Sequence, residues 1–143
     1  MPPKFASAKK QGEWAEQVYQ VKASGMGLRP CRPWGETAPY DFAVEGLFHH
    51  FNTVQVKSVG WTKSDRPGLY HVFCCRGNVS RGKRVSYSPE EVHYLAVYLI
   101  PEDLWYIIPI RALRGVKGFY LRPKNPRKVS RFERYREAWH QLF

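Results

Sequence analysis

The sequence predicts an α/β (α+β) fold, a mixed β-sheet flanked by an N-terminal and a C-terminal helix. Three observations carry that expectation. Apolar and polar residues alternate through 40–45 and again through 53–57, the period of half-buried strands. Two continuous apolar runs, 94–100 and 104–109, flank Pro101-Glu102-Asp103 and read as a buried hairpin. Helical spacing is confined to the two ends of the chain, in Trp14, Val18 and Val21 and in Phe132, Tyr135, Trp139 and Leu142.

Taken in order, residues 1–6 form a loose basic arm, followed by a helix over 7–24 that stops at Gly25. Residues 26–36 mix Gly27, Pro30, Pro33 and Gly35 with Leu28, Cys31 and Trp34, which suits an irregular edge strand. Strands over 39–44 and 53–57, joined by a turn over 46–52, come next, and 69–75 forms a third. Residues 76–84 are expected to be a flexible basic loop. Ser88-Pro89-Glu90-Glu91 opens a helix of one or two turns with a capping box, where Glu90 and Glu91 serve the cap. After the buried hairpin come a helical turn at 110–114, a short strand at 118–122 and a proline-interrupted basic loop at 123–128. A second capping box, Ser130 to Glu133, opens the final helix. The whole chain, 1–143, is expected to be a single domain.

Charge narrows the function. The chain carries 23 Lys and Arg against 12 Asp and Glu, a net +11. Ten of those cations lie between Arg111 and Arg136 beside a single acid, Glu133. That density calls for a polyanion, and nucleic acid is the expected partner. No apolar run spans a bilayer and no signal segment opens the chain, so a cytoplasmic protein without membrane contact is expected. Cys31, Cys74 and Cys75 make neither a disulfide framework nor a metal pair, and read as reduced core residues. His49-His50 has no zinc-like spacing around it, and nucleotide-loop and hydrolase-triad motifs are absent.

The chemistry-bearing stretch is PYDFAVEGLFHHFNTVQVKS, residues 39–58. Gln55 and Lys57 leave the same face of their strand, and hairpin pairing brings Asp41 beside them. A carboxylate, an amide oxygen and an ammonium then converge, a set able to hold a divalent metal and a phosphate. Spacing alone leaves the alternative open that these residues are a turn and a solvated face.

Together with its surroundings the pattern resembles the PD-(D/E)XK nuclease superfamily, the restriction-endonuclease-like fold, and within it the homing endonucleases encoded in bacterial group I introns. The resemblance rests on Gly12-Glu13-Trp14-Ala15-Glu16, on Asp41 in 39–44, on Gln55-Val56-Lys57-Ser58, and on 94–98, 105–109 and 135–139. It implies a Mg2+-dependent DNA endonuclease, with Mn2+ as substitute. Asp41, the Gln55 side chain and the Val56 carbonyl would be metal ligands, Glu16 would hold a second metal or its water, and Lys57 would orient the attacking water. Gln55 stands where most of the superfamily has an acid, which brings an oxygen but no charge. Arg76, Arg81, Lys83, Arg84, Lys124, Arg127 and Lys128 are the expected DNA contacts, and a homodimer or homotetramer the expected assembly. The alternative from another class is a binding-only module with a degenerate nuclease fold.

Overall fold

A computed structural model describes residues 3–62, 66–78 and 83–143. Among the described residues one α-helix, α1 (Ala8–Gly25), precedes nine strands: β1 (Arg29–Cys31), β2 (Phe42–Glu45), β3 (Phe51–Val59), β4 (Tyr70–Phe73), β5 (Cys75–Asn78), β6 (Lys83–Ser86), β7 (Tyr94–Leu99), β8 (Leu104–Pro109) and β9 (Gly118–Leu121). Five of them make the central sheet in the order β1-β2-β3-β7-β8. Only β3 and β7 run parallel in it, so the sheet is mixed and the expected α+β fold is present.

The helix begins where its capping chemistry dictates, with Ser7 Oγ accepting the Lys10 N–H at 3.2 Å. Its reversal falls at Gly27, whose φ of 95° only glycine adopts cheaply, two residues beyond the expected stop. The buried stripe is also turned from the expected one: Ala15, expected beside it, lies at its centre, and Trp14 and Val18 pack at its margin. Ala15, Tyr19 and Ala23 face the sheet, while Val21 is 73% exposed. Tyr19 explains the rotation, because its ring fills the space between Phe42, Trp105 and Trp139 at centroid distances of 5.1–5.6 Å.

Alternation along the strands builds two cores. Val54, Val56, Ala96, Tyr98, Trp105 and Ile107 pack under α1. Leu95, Val97, Leu99, Tyr106 and Ile108 face the opposite way, onto a two-stranded ribbon of β4 and β9. The segment expected as one third strand is therefore split at Cys74 into β4 and β5, and neither joins the central sheet. The expected basic loop over 76–84 is instead an antiparallel hairpin of β5 and β6, with 79–82 outside the described residues. Cys74 and Cys75 are buried as expected, but Cys31 is exposed, because it sits on the edge strand.

Both capping boxes open turns rather than helices. After Ser88 a single turn forms, with the Val92 N–H on the Ser88 carbonyl at 2.9 Å. The chain then locks into the sheet: His93 N–H reaches the Thr53 carbonyl at 3.0 Å, and Thr53 N–H reaches His93 Nδ1 at 3.0 Å. At the C-terminus the expected helix is replaced by two 3-10 turns, Glu133–Tyr135 and Trp139–Leu142. Phe132 joins the core on one face of the sheet and Trp139 the core on the other, so this segment wraps the free edge of β8.

Candidate active site

Register places the first pair. In β2 and β3, Phe42 lies opposite Val54, so Asp41, one residue before β2, comes opposite Gln55. The Asp41 N–H donates to the Val54 carbonyl at 3.0 Å, and its Oδ2 accepts the Val56 N–H at 2.8 Å. The backbone of Val56 therefore points past the end of β2, and its carbonyl leaves β3 toward the same edge. The Gln55 carboxamide is half-buried and has no hydrogen-bond partner among the described residues.

Lys57, two residues on, shares the face of Gln55. Its Nζ donates to the Cys75 carbonyl at 3.4 Å and stands 5.8 Å from the Tyr87 ring. Burial lowers its pKa, partly offset by the negative charge of Asp41. Glu16 arrives from α1, one helical turn before Gln20, and lines the same cleft as Asp41, near enough for its charge to raise the Asp41 pKa. Desolvation pushes Asp41 up to about 6, with Glu16 adding to the rise and the Val56 N–H and Lys57 opposing it. Two carboxyls held together in a half-dry site either share a proton or attract a cation. The structure thus brings Glu16, Asp41, Gln55 and Lys57 to one place.

The donor set fits a hard divalent ion: two carboxylates, a carboxamide oxygen and a backbone carbonyl, all oxygen. Among the described residues no cluster of three or more His, Cys, Asp or Glu forms, so Gln55 and the Val56 carbonyl would have to complete the site. His49 is instead engaged with Glu45 at 2.8 Å on an exposed turn.

Two neighbours carried no signal in the sequence. Arg32, just past β1, pairs with Glu16 at 3.1 Å and lines the same cleft of about 370 Å³. Its proline-rich surroundings read only as an edge. Tyr87 lies under Lys57 and is buried; nothing in its spacing separates it from an ordinary core tyrosine.

The expected DNA contacts fall into two groups. Arg76 is exposed on β5, and Lys83 and Arg84 lie on β6 of a hairpin whose base, Cys75 and Tyr87, touches Lys57; Arg81 lies outside the described residues. Lys124 and Lys128 line a cleft of about 640 Å³ together with Arg66 and Arg122, at the far end of the β4–β9 ribbon. Lys124 is paired there with Glu102 at 2.9 Å. Arg127 is exposed beside this cleft without lining it.

A profile described as PD-(D/E)XK endonuclease matches residues 6–142. Among solved structures, a bacterial homing endonuclease, I-Ssp6803I, superposes with a TM-score of 0.82 at 28% identity, over 96% of this chain and 93% of its own. Hjc, a Holliday junction resolvase of the archaeal hyperthermophile Archaeoglobus fulgidus, superposes with a TM-score of 0.54 at 16% identity, over 93% of this chain and 98% of its own, a likeness of fold. No protein of curated function matches.

Proposed function

This chain belongs to the PD-(D/E)XK endonucleases, and from that premise we propose that it is a Mg2+-dependent enzyme hydrolysing phosphodiester bonds in DNA. The observation that carries the proposal is the meeting of the Asp41 and Glu16 carboxyls in one cleft just before β2, with Asp41 bonded to the Val56 N–H and Lys57 beside it. Such a pair is costly unless a cation or proton offsets it, which fits a metal site better than a solvated face. A homing role is supported by the likeness to the homing endonuclease I-Ssp6803I, whose 28% identity extends over nearly the whole chain.

Asp41, Gln55 and the Val56 carbonyl would hold the ion, with Glu16 completing the set. When bound, the ion would lower the pKa of the attacking water and offset charge at the phosphate. Lys57, with its pKa lowered by burial, is suited to take a proton from the water or to orient it in line with the scissile bond. The Cys75 carbonyl and the Tyr87 ring hold the ammonium in that position. Arg76, Lys83 and Arg84 on the adjoining hairpin would carry flanking phosphates, as would Arg81, which lies outside the described residues. Lys124, Arg127 and Lys128 would do the same further out. Cutting both strands requires two such sites, which a homodimer or homotetramer supplies by symmetry.

Nicking of supercoiled plasmid with Mg2+, with Mn2+ and with a chelator tests the reading. Asp41→Ala and Lys57→Ala should each lower the rate by about 10²-fold or more. Metal-free DNA binding by Asp41→Ala should hold or tighten, since a negative charge facing a polyanion is removed. A folded Asp41→Ala protein that nicks at the wild-type rate rules out this site. A wild-type protein that binds DNA but never cuts is a binding-only module.

A further inference from the structure

Resting on that reading of the site, we propose that Arg32 is the counter-cation that a divalent ion must displace from Glu16, and that the displaced guanidinium then binds the scissile phosphate. Four features converge on it. Arg32 Nη1 lies 3.1 Å from Glu16 Oε2, so it occupies an oxygen that the metal would need. Glu16 shares that cleft with Asp41, whose carboxyl feels its charge, which puts Arg32 in the charge balance of the carboxyl pair and not at a remote surface pair. The guanidinium carbon sits 4.9 Å from the centre of the Phe42 ring, a cation–π contact that keeps the group in the cleft when its ion pair breaks. Finally, Arg32 and Asp41 line one cleft of about 370 Å³, open enough to admit a phosphate.

Charge accounts for both halves of the exchange. Glu16 and Asp41 supply two negative charges, and Arg32 and Lys57 two positive ones, so the metal-free site is balanced. A divalent ion arriving at the carboxylates makes the Arg32 ion pair redundant and places excess positive charge in the cleft. A phosphodiester brings the compensating negative charge. The planar fork of arginine matches two phosphate oxygens, which a lysine at this position would not. Arg32 therefore weakens ion binding in the free enzyme and strengthens binding of DNA once the ion is in place.

Calorimetric titration of the DNA-free protein with Mn2+ and with Ca2+ separates these effects from activity. Arg32→Ala should bind either ion about three- to tenfold more tightly, the reverse of what removing a structural support does. In plasmid nicking the same variant should fall about tenfold or more in rate at saturating Mg2+. Arg32→Lys should restore near-wild-type ion affinity while recovering only part of the rate. Arg32→Gln, which keeps the stem on Phe42, serves if the alanine variant fails to fold by circular dichroism. Ion affinity that is unchanged or weaker in a folded Arg32→Ala or Arg32→Gln protein overturns the exchange. Tighter ion binding with wild-type nicking overturns the phosphate contact. If Asp41→Ala binds ions as well as wild type does in the same titration, the metal site itself is wrong, and the exchange falls with it.

Discussion

Asp41 is a single residue whose surroundings work against stability, as the proposed metal site would require. Burial and the neighbouring Glu16 push its carboxyl from 3.8 to about 6, so the folded protein binds that proton more tightly than the unfolded chain does. Stability from this group is therefore fully present below about pH 4 and is lost as pH rises through about 6. At pH 8 the ionised side chain costs roughly 1–3 kcal/mol. Asp41→Asn, which keeps an oxygen for the Val56 N–H, should be more stable than wild type by about that amount at pH 8 without metal. The gap should close by pH 4. Chemical denaturation at both pH values measures it; a variant no more stable at pH 8 would mean that Asp41 is not strained by its surroundings. Such a cost is in keeping with the metal-ligand role proposed for Asp41 above.

At the scale of an element, the C-terminal segment is informative because a good helix signal loses to a sheet edge. Ser130 caps as expected, with its Oγ accepting the Phe132 N–H at 3.2 Å. The Glu133 carboxylate, however, is drawn away to the Tyr106 hydroxyl and to Arg136, so the box never closes. Arg136 turns extended and bridges Tyr106, and Glu137 adopts a φ of 47°. Glu137 then satisfies β8 directly. Its N–H donates to the Trp105 carbonyl at 2.8 Å, Oε1 accepts the Trp105 N–H at 2.9 Å, and Oε2 accepts Trp139 Nε1 at 2.6 Å. An exposed edge strand is a liability, and this wrapping removes it. Glu137→Ala should cost about 2–4 kcal/mol in urea unfolding, because it strands two buried donors, and should raise the tendency to aggregate. Glu137→Gln should cost less. An alanine variant within about 0.5 kcal/mol of wild type, the range of an ordinary surface change, would show that the contact is incidental.

Over the whole molecule, a net charge of +11 is distributed where the fold can use it. The β5–β6 hairpin springs from beside Lys57 in the candidate site, and the basic cleft lies at the opposite end of the β4–β9 ribbon. Among the described residues, Arg66, Arg122 and Lys128 have no carboxylate partner within ion-pair distance, whereas Lys124 has Glu102. DNA affinity should therefore fall steeply with salt. Replacing Arg66, Arg122 and Lys128 together by alanine should make the slope of log affinity against log salt shallower by about 2–3, near 0.9 for each phosphate no longer neutralised. Fluorescence anisotropy from 50 to 200 mM salt, a range on the order of that over which counterion release is large, would show it. Wild-type affinity that stays flat across that range removes nucleic acid as the partner; an unchanged slope in the triple variant moves the DNA-binding surface elsewhere. No helix among the described residues is long and apolar enough to cross a membrane.

What the sequence determined by itself was whatever depends on neighbours along the chain. Alternation placed β2 and β3, continuous apolar runs placed β7 and β8, the Ser7 cap began α1, and the spacing of Gln55 and Lys57 put both on one face of β3. The motif residues were legible because hairpin pairing is nearly local, so Asp41 could be set against Gln55 from order alone. Tertiary structure decided the rest. The rotation of α1 about its axis followed from the space that Tyr19 fills, not from its own apolar pattern. The splitting of 69–75 and the replacement of the final helix followed from which unpaired edges and faces needed covering. Arg32 and the Cys75 carbonyl joined the site from elements 16 and 18 residues away from their partners, with no period to announce them. Local propensities differ by only about a few tenths of a kcal/mol per residue, whereas an unsatisfied buried hydrogen-bonding group costs about 1–3, so where the two compete it is the contact between distant elements that prevails.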